Sequence, residues 1–128
     1  MDRTLIISNT AELYRFHPDD IVFIQADRNY SEIIMSNGEL ANVTLQLGAL
    51  ADIINRQLHT EHPQFIRLGR SYIINLKYIY HIRLNPAKLW MKSQSGKIHE
   101  VPKVAHEALV KLKALVESEI KINETQEP

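Results

Sequence analysis

The chain has 128 residues, no net charge and no cysteine, which excludes disulfides, thiolate chemistry and cysteine-ligated metal. An apolar share of 45% with few glycines and prolines fits one globular domain with a real core, not a disordered chain. No long apolar run is present, and the opening MDRTLIISNT has too short an apolar stretch for a signal peptide, so a cytoplasmic location without membrane contact is expected.

In chain order, residues 3–7 predict a short strand. Ser8 to Pro18 reads as mixed sequence with Leu13, Tyr14 and Phe16 as packing anchors, and Pro18-Asp19-Asp20 as a turn. Ile21 to Ile24 is a four-residue apolar, β-rich run, too short for a helix and best placed as a buried strand. A tight connection at 26–29 leads to a strand over Tyr30–Met35. The Asn37-Gly38 pair then marks a hairpin that returns over 40–43.

At Thr44 the period changes. Leu47, Leu50, Ile54 and Leu58 recur at three and four residues, predicting an amphipathic helix that packs on a sheet, with Thr44 as its N-cap. Phe65 to Ile74 reads as two strands interrupted at Gly69, followed by a turn at 75–77. A strand over Tyr78–Leu84 alternates Tyr78, Tyr80 and Ile82 until Asn85-Pro86 breaks it. Lys88–Lys92 and Lys97–Val101 form a hairpin around Gln94-Ser95-Gly96. Pro102 is expected in the first turn of a last helix, where its missing N–H costs nothing, with Val104, Ala108, Leu112 and Leu115 on one face to about Ser118. The domain boundaries expected are a lead segment (1–18), the folded domain (19–118) and a polar tail (119–128).

Charge is distributed unevenly. From Phe65 to Lys103 there are eight Lys and Arg against Glu100 alone, so this segment is +7 and the remainder is −7. A chain polarised in this way attracts a polyanion with one face, although a lysine-rich solvated sheet surface would read similarly. Sequence signatures of common catalytic sites are missing: no HExxH, no phosphate-binding glycine loop, no GxSxG elbow. His59 with His62 comes nearest to a metal pair but lacks a third ligand close in sequence. Neither catalysis, metal nor cofactor is expected.

Arg67 and Arg70 flank Gly69. In an extended chain they would face opposite sides, so they act together only if the backbone turns or bulges between them; otherwise one of them is structural. Arg70 is the candidate for reading a base, because its planar fork matches the O6 and N7 of guanine. Lys77, Lys88, Lys92 and Lys97, with Arg67, suit flexible phosphate contacts.

The run FIRLGRSYIINLKYI resembles the signature of the LytTR-type DNA-binding domain of bacterial response regulators: an aromatic-led strand, a loop ending in Ser-Tyr, an apolar pair and a turn-opening Asn. The resemblance extends upstream to DDIVFIQADRNYSEIIMSNGE and TLQLGALADII, and downstream to WMKSQSGKIHEVPKVAHEALVKLK. It implies a mainly β fold with short helices, elongated and antiparallel. It also implies binding of double-stranded DNA through loops at paired half-sites, and transcription regulation, with or without a homodimer in solution. Carried onto this chain, the DNA-facing positions are Asn29 with its neighbour Arg28, Arg70, and Lys103, while Ser71, Tyr72 and Asn75 shape the strand and turn.

Three departures bear on the site: Gly69 stands where the family usually has histidine, Pro102 where serine is common, and Lys103 where arginine is common. They predict a relaxed sequence preference with salt-dependent, phosphate-dominated affinity. About twenty residues precede the module, with no receiver domain among them. The expectation is either a free-standing regulator controlled by expression, self-association or a partner in trans, or the C-terminal module of a response regulator. The competing reading is a protein-interaction or sensory module that keeps the fold without binding DNA, using its strand edges.

Overall fold

The computed structural model describes residues 3–59 and 63–126. His62 lies outside them, so the His59–His62 pair has no structural counterpart here. The fold is mainly β, with all strand pairs antiparallel, in an elongated arrangement of three sheets. A five-stranded sheet forms the centre. It contains β3 (Ile21–Asp27), β4 (Tyr30–Met35), β5 (Leu40–Val43), β6 (Phe65–Leu68) and β7 (Tyr72–Asn75), in the spatial order β5-β4-β3-β7-β6.

The apolar run that opens β3 explains its central place. Ile21 and Ile24 face one core while Val22 and Phe23 face the other, and all four are buried. Strict alternation would not put Val22 and Phe23 on the same side. A bulge between Ile21 and Phe23 in the pairing with β4 accommodates the extra residue.

One face of the central sheet, through Ile24, Ile33 and Ile73, packs on helix α1 (Leu47–Gln57) and on the ribbon β1 (Leu5–Ser8) and β2 (Leu13–Phe16). Leu47, Leu50 and Ile54 supply the helix stripe expected from the spacing. Fully buried Leu50 is worth about 2 kcal/mol in removed apolar area. Gln57 fastens the ribbon to the helix. Its amide accepts from the Ile6 N–H (2.8 Å) and donates to the Ile6 carbonyl (2.7 Å), satisfying a strand edge that would otherwise need water.

The opposite face, through Phe23, Ile34, Leu68, Tyr72 and Ile74, packs against a second layer. That layer is a three-stranded sheet of β8 (Ile79–Leu84), β9 (Ala87–Lys92) and β10 (Ile98–Val101), joined by helix α2 (His106–Gln126). Leu89, Met91, Val101, Leu109 and Leu112 are its buried contribution.

Four local expectations are corrected. Residues 13–16, read as mixed sequence with packing anchors, form β2, in which only Phe16 is buried and which therefore lacks a strong alternating pattern. Helix α1 is capped by Gln46, not Thr44, and no side chain closes the cap. The chain needs two more residues to leave β5, held by Leu45 N–H to the Val43 carbonyl (2.8 Å) and by Ser31 Oγ donating to the Leu45 carbonyl (2.7 Å). Tyr78 is buried in a 3-10 turn (Leu76–Tyr78), not in a strand, and a bulge between Ile79 and His81 breaks the expected alternation. Pro102 lies outside α2. Lys103 adopts a left-handed backbone (φ 54°), which no helix accepts, so α2 starts only at His106 and then runs beyond Ser118.

Candidate nucleic-acid interface

The two ends of the central sheet differ. At one end, β3 turns into β4 through Arg28-Asn29, since Asp27 pairs directly with Tyr30. Arg28 takes φ 58°, the left-handed conformation that lets two residues reverse the chain. β6 turns into β7 through Gly69, Arg70 and Ser71, with Gly69 at φ 62°. The strand is thus interrupted at Gly69 as expected, and the turn that Arg67 and Arg70 would need to act together is present. β10 leaves its sheet through Pro102-Lys103, again left-handed at Lys103. Each of the three connections holds one left-handed residue, and in two of them that residue is cationic. A non-glycine residue there costs roughly 1–2 kcal/mol unless the surroundings fix it.

These connections adjoin. The Ala26 N–H donates to the Ser71 carbonyl (2.8 Å), continuing the β3–β7 ladder to the base of both turns. A shallow cleft of about 90 Å³ is lined by Gly69, Arg70 and Ser71 on one side and Lys103 and Val104 on the other. Arg28, Asn29, Arg70 and Lys103 are all exposed. Among the described residues, none of the three cations Arg28, Arg70 and Lys103 makes an ion pair.

Two neighbours brace these turns. Arg67 lies along the edge of the sheet, and its Nη2 donates to the Arg70 carbonyl (3.3 Å), so its charge supports the loop from behind. Gln46 Nε2 donates to Asn29 Oδ1 across a long 3.4 Å, leaving the Asn29 amide hydrogens free to face outward. No sequence signal pointed to Gln46. The contact spans seventeen residues and depends on where α1 begins. Tyr72 is buried against Phe23, edge to face with ring centres 6.2 Å apart, and burial pushes its phenol pKa up. Its ring belongs to the core, and it also lines the cleft between Arg70 and Lys103.

The remaining cations are dispersed. Lys77 follows the far end of β7, whose last residue Asn75 is roughly 10 Å from Tyr72 at about 3.3 Å per residue. There its Nζ pairs with Asp19 at 3.0 Å. Lys88 pairs with Glu100 at 3.3 Å near the Lys103 end of β9. Lys92 Nζ lies 5.2 Å from the Tyr80 ring centre, and Lys97 is on the β9–β10 hairpin beside Gly38. The +7 segment thus does not converge on one spot.

The far end is a closed polar network. Asn75, fully buried, donates from Nδ2 to the Ile21 carbonyl (2.9 Å) and accepts the Lys77 N–H (3.0 Å). The Tyr78 hydroxyl donates to the Asp19 carbonyl (2.6 Å), and burial followed by the Asp19 and Asp20 charges pushes its pKa up to about 12. Burial pushes the Asp19 carboxyl up, but hydrogen bonds from Gln64 and Lys77 and the charges of Lys77 and His17 outweigh it and hold the pKa below its ordinary value. Ser93 and Ser95 hydroxyls donate to the Ser36 carbonyl (3.0 and 2.8 Å), while the Ser36 N–H donates to the Asp20 carbonyl (2.8 Å), so the second layer is sewn to the first at this end.

Comparison with known families matches residues 11–117 to the LytTr DNA-binding domain. The chain belongs to the LytTR-type DNA-binding domain family. LytTR domains are non-catalytic modules implicated in DNA binding and transcription regulation, and they often bind as dimers, so this chain is not an enzyme. A solved structure described as the LytTr DNA-binding domain of a methyl-accepting/DNA response regulator from Bacillus cereus has the same fold. Its TM-score is 0.58 at 14% identity, covering 91% of this chain and 98% of that one. No curated protein matches the sequence. Among the described residues no helix is long and apolar enough to cross a membrane, and no cluster of His, Asp and Glu could hold a metal ion.

Proposed function

We propose that this LytTR domain binds double-stranded DNA through the three adjoining connections and regulates transcription in the bacterial cytoplasm. The observation that carries this reading is the convergence of Arg28, Asn29, Arg70 and Lys103, contributed by three separate connections, at one open end of the two larger sheets. A loop tip carrying a guanidinium reaches base edges in the major groove, and Arg70 is assigned a guanine contact. Asn29, with outward amide hydrogens, is assigned a neighbouring polar contact. Arg28 and Lys103 hold phosphates on either side, and Lys88 is near enough to join them once its exposed pair with Glu100 opens. Arg67 acts through the Arg70 loop. Lys77, Lys92 and Lys97 lie toward the closed end and add only long-range attraction.

Two copies occupy adjacent half-sites, with input arriving as in two-component regulation or through a partner in trans. Lysine at 103 and the bare Gly69 favour phosphate-dominated, salt-sensitive affinity. Selection of bound duplexes from a random pool, with Arg70→Ala as control, tests this reading. A repeated motif enriched by the natural chain and lost in the control is expected, along with affinity that falls steeply across a salt series. No enrichment at moderate salt would favour the interaction-module reading instead.

A further inference from the structure

The outer face of the β8–β10 sheet carries a constellation that duplex binding at the loop tips leaves unused. On β9, Leu89 and Met91 are buried, so Lys88, Trp90 and Lys92 point outward. On β8, the bulge between Ile79 and His81 leaves Tyr80 and His81 both exposed before alternation resumes with Ile82 inward and Arg83 outward. Three rings therefore share one sheet surface with two cations that the duplex interface does not use, Arg83 and Lys92, while Lys88 belongs to the loop-tip side. The His81 ring stacks on Trp90 with centres 4.5 Å apart and planes 21° from parallel. The Arg83 guanidinium lies 5.2 Å from the Trp90 ring centre, and Lys92 Nζ lies 5.2 Å from that of Tyr80. Tyr80 is 56% exposed.

Cross-strand stacking of this kind stabilises a sheet by a few tenths of a kcal/mol to about 1 kcal/mol, which accounts for the His81–Trp90 pair. It does not account for Tyr80, which leaves more than half its surface in water beside a cation. Glu100 is the only acid in residues 79–101, and it answers Lys88. Among the described residues Arg83 and Lys92 make no ion pair, and Arg83 Nε donates only to the neutral Pro86 carbonyl (3.1 Å). Flat rings interleaved with unpaired cations on an open sheet complement a ligand that is anionic and has aromatic faces of its own. A duplex closes its base faces by stacking, whereas a single strand presents them. An acidic peptide or an anionic lipid surface would meet the charges but carries no regular row of aromatic faces to stack on these rings.

We infer that the outer face of the β8–β10 sheet binds single-stranded nucleic acid, with bases stacking on His81 and Tyr80 and phosphates held by Arg83 and Lys92. This is a second site, separate from the duplex interface and independent of whether that interface functions as proposed.

Trp90 is the only tryptophan of the chain, so its emission reports on this face directly. The full chain is titrated with a fifteen-nucleotide oligothymidine and with oligouridine of equal length, while heparin serves as a base-free polyanion. Saturable quenching by the single strands is expected. His81→Ala and Tyr80→Ala, both at exposed positions, should each weaken single-strand binding roughly tenfold. Arg70→Ala should leave it unchanged, and the same variants are assayed against duplex to separate the two sites. Heparin producing the same Trp90 response and the same sensitivity to His81→Ala would overturn the inference, because the face would then read charge alone. Complete displacement of the single strand by duplex, or loss of single-strand binding in Arg70→Ala, would overturn it by placing the ligand at the loop tips. Absence of quenching at low salt would also overturn it.

Discussion

At one end of the central sheet polar side chains answer one another, and at the other they are left facing out. Asn75, Tyr78, Asp19, Gln64 and Lys77 close the first end, with the Ser36, Ser93 and Ser95 hydrogen bonds tying in the second layer. Among the described residues Arg28, Arg70 and Lys103 have no ion-pair partner at the second, and two of them sit on strained backbone. The same residue types therefore serve stability at one end and availability at the other. What differs is whether the fold supplies their partners.

The sharpest way to break this division is Asn75→Ala. It orphans the Ile21 carbonyl and the Lys77 N–H in a buried site, so denaturant unfolding should show a loss of about 2–3 kcal/mol. Duplex affinity of the folded fraction should stay unchanged. A loss of affinity at constant stability would mean the two ends are not separable.

Lys103→Gly should do the reverse. Relief of the left-handed backbone, set against the extra flexibility of glycine, should raise stability by about 0.5–1 kcal/mol. Duplex affinity should fall several-fold, with a shallower salt dependence. Equal or better binding by this variant would remove Lys103 from the interface. Gly69→His probes the same end in the other direction. A Cβ there meets nothing within 4 Å, but φ 62° should cost about 1 kcal/mol in thermal or denaturant unfolding. Duplex affinity should rise, because the variant adds a polar side chain beside Arg70.

Smallest, and confined to pH, is the effect of His99. Its Nε2 is buried without a partner among the described residues, and burial together with Lys97 holds its pKa below the ordinary 6.5. The unfolded chain takes up a proton at higher pH than the folded one, so stability is complete above 6.5 and declines as pH falls toward the folded value. Unfolding curves at about pH 7.5 and 5.5 should show this decline, and His99→Leu should reduce it. Asp19 acts in a lower window. Its contribution is present above 3.8 and is lost as pH falls through its depressed folded value.

The elements with strong periodicity were legible in the sequence. Ile21–Ile24, the Asn37-Gly38 hairpin and the Leu47–Leu50–Ile54 stripe all have local causes, and each was placed correctly. β2 was missed because four residues with one shielded side chain carry almost no pattern. The start of α2 was misplaced because Pro102 satisfies a helix rule that the left-handed Lys103 overrides. The bulge after Ile79 was invisible, since Tyr78, Tyr80 and Ile82 alternate well enough to pass for a regular strand. Of the four loop-tip candidates, Arg70 came from its guanidinium beside Gly69 as well as from family resemblance, whereas Arg28, Asn29 and Lys103 came from the resemblance alone. Only the three-dimensional structure shows that they adjoin, and only there do Lys77 and Lys97 fall to the opposite end.

The hydrogen bond from Ala26 to Ser71 has a consequence for how such a domain changes its target. It clasps the Arg28-Asn29 and Arg70 tips to one ladder, so the distance between them is as fixed as the spacing of neighbouring strands. New preferences can then arise by exchanging the side chains at the tips, which the ladder tolerates. Lengthening either turn would move a tip only by opening the clasp. The tips behave as a rigid gauge with interchangeable points, and drift in specificity should appear as substitutions at 28, 29 and 70, not as insertions beside them.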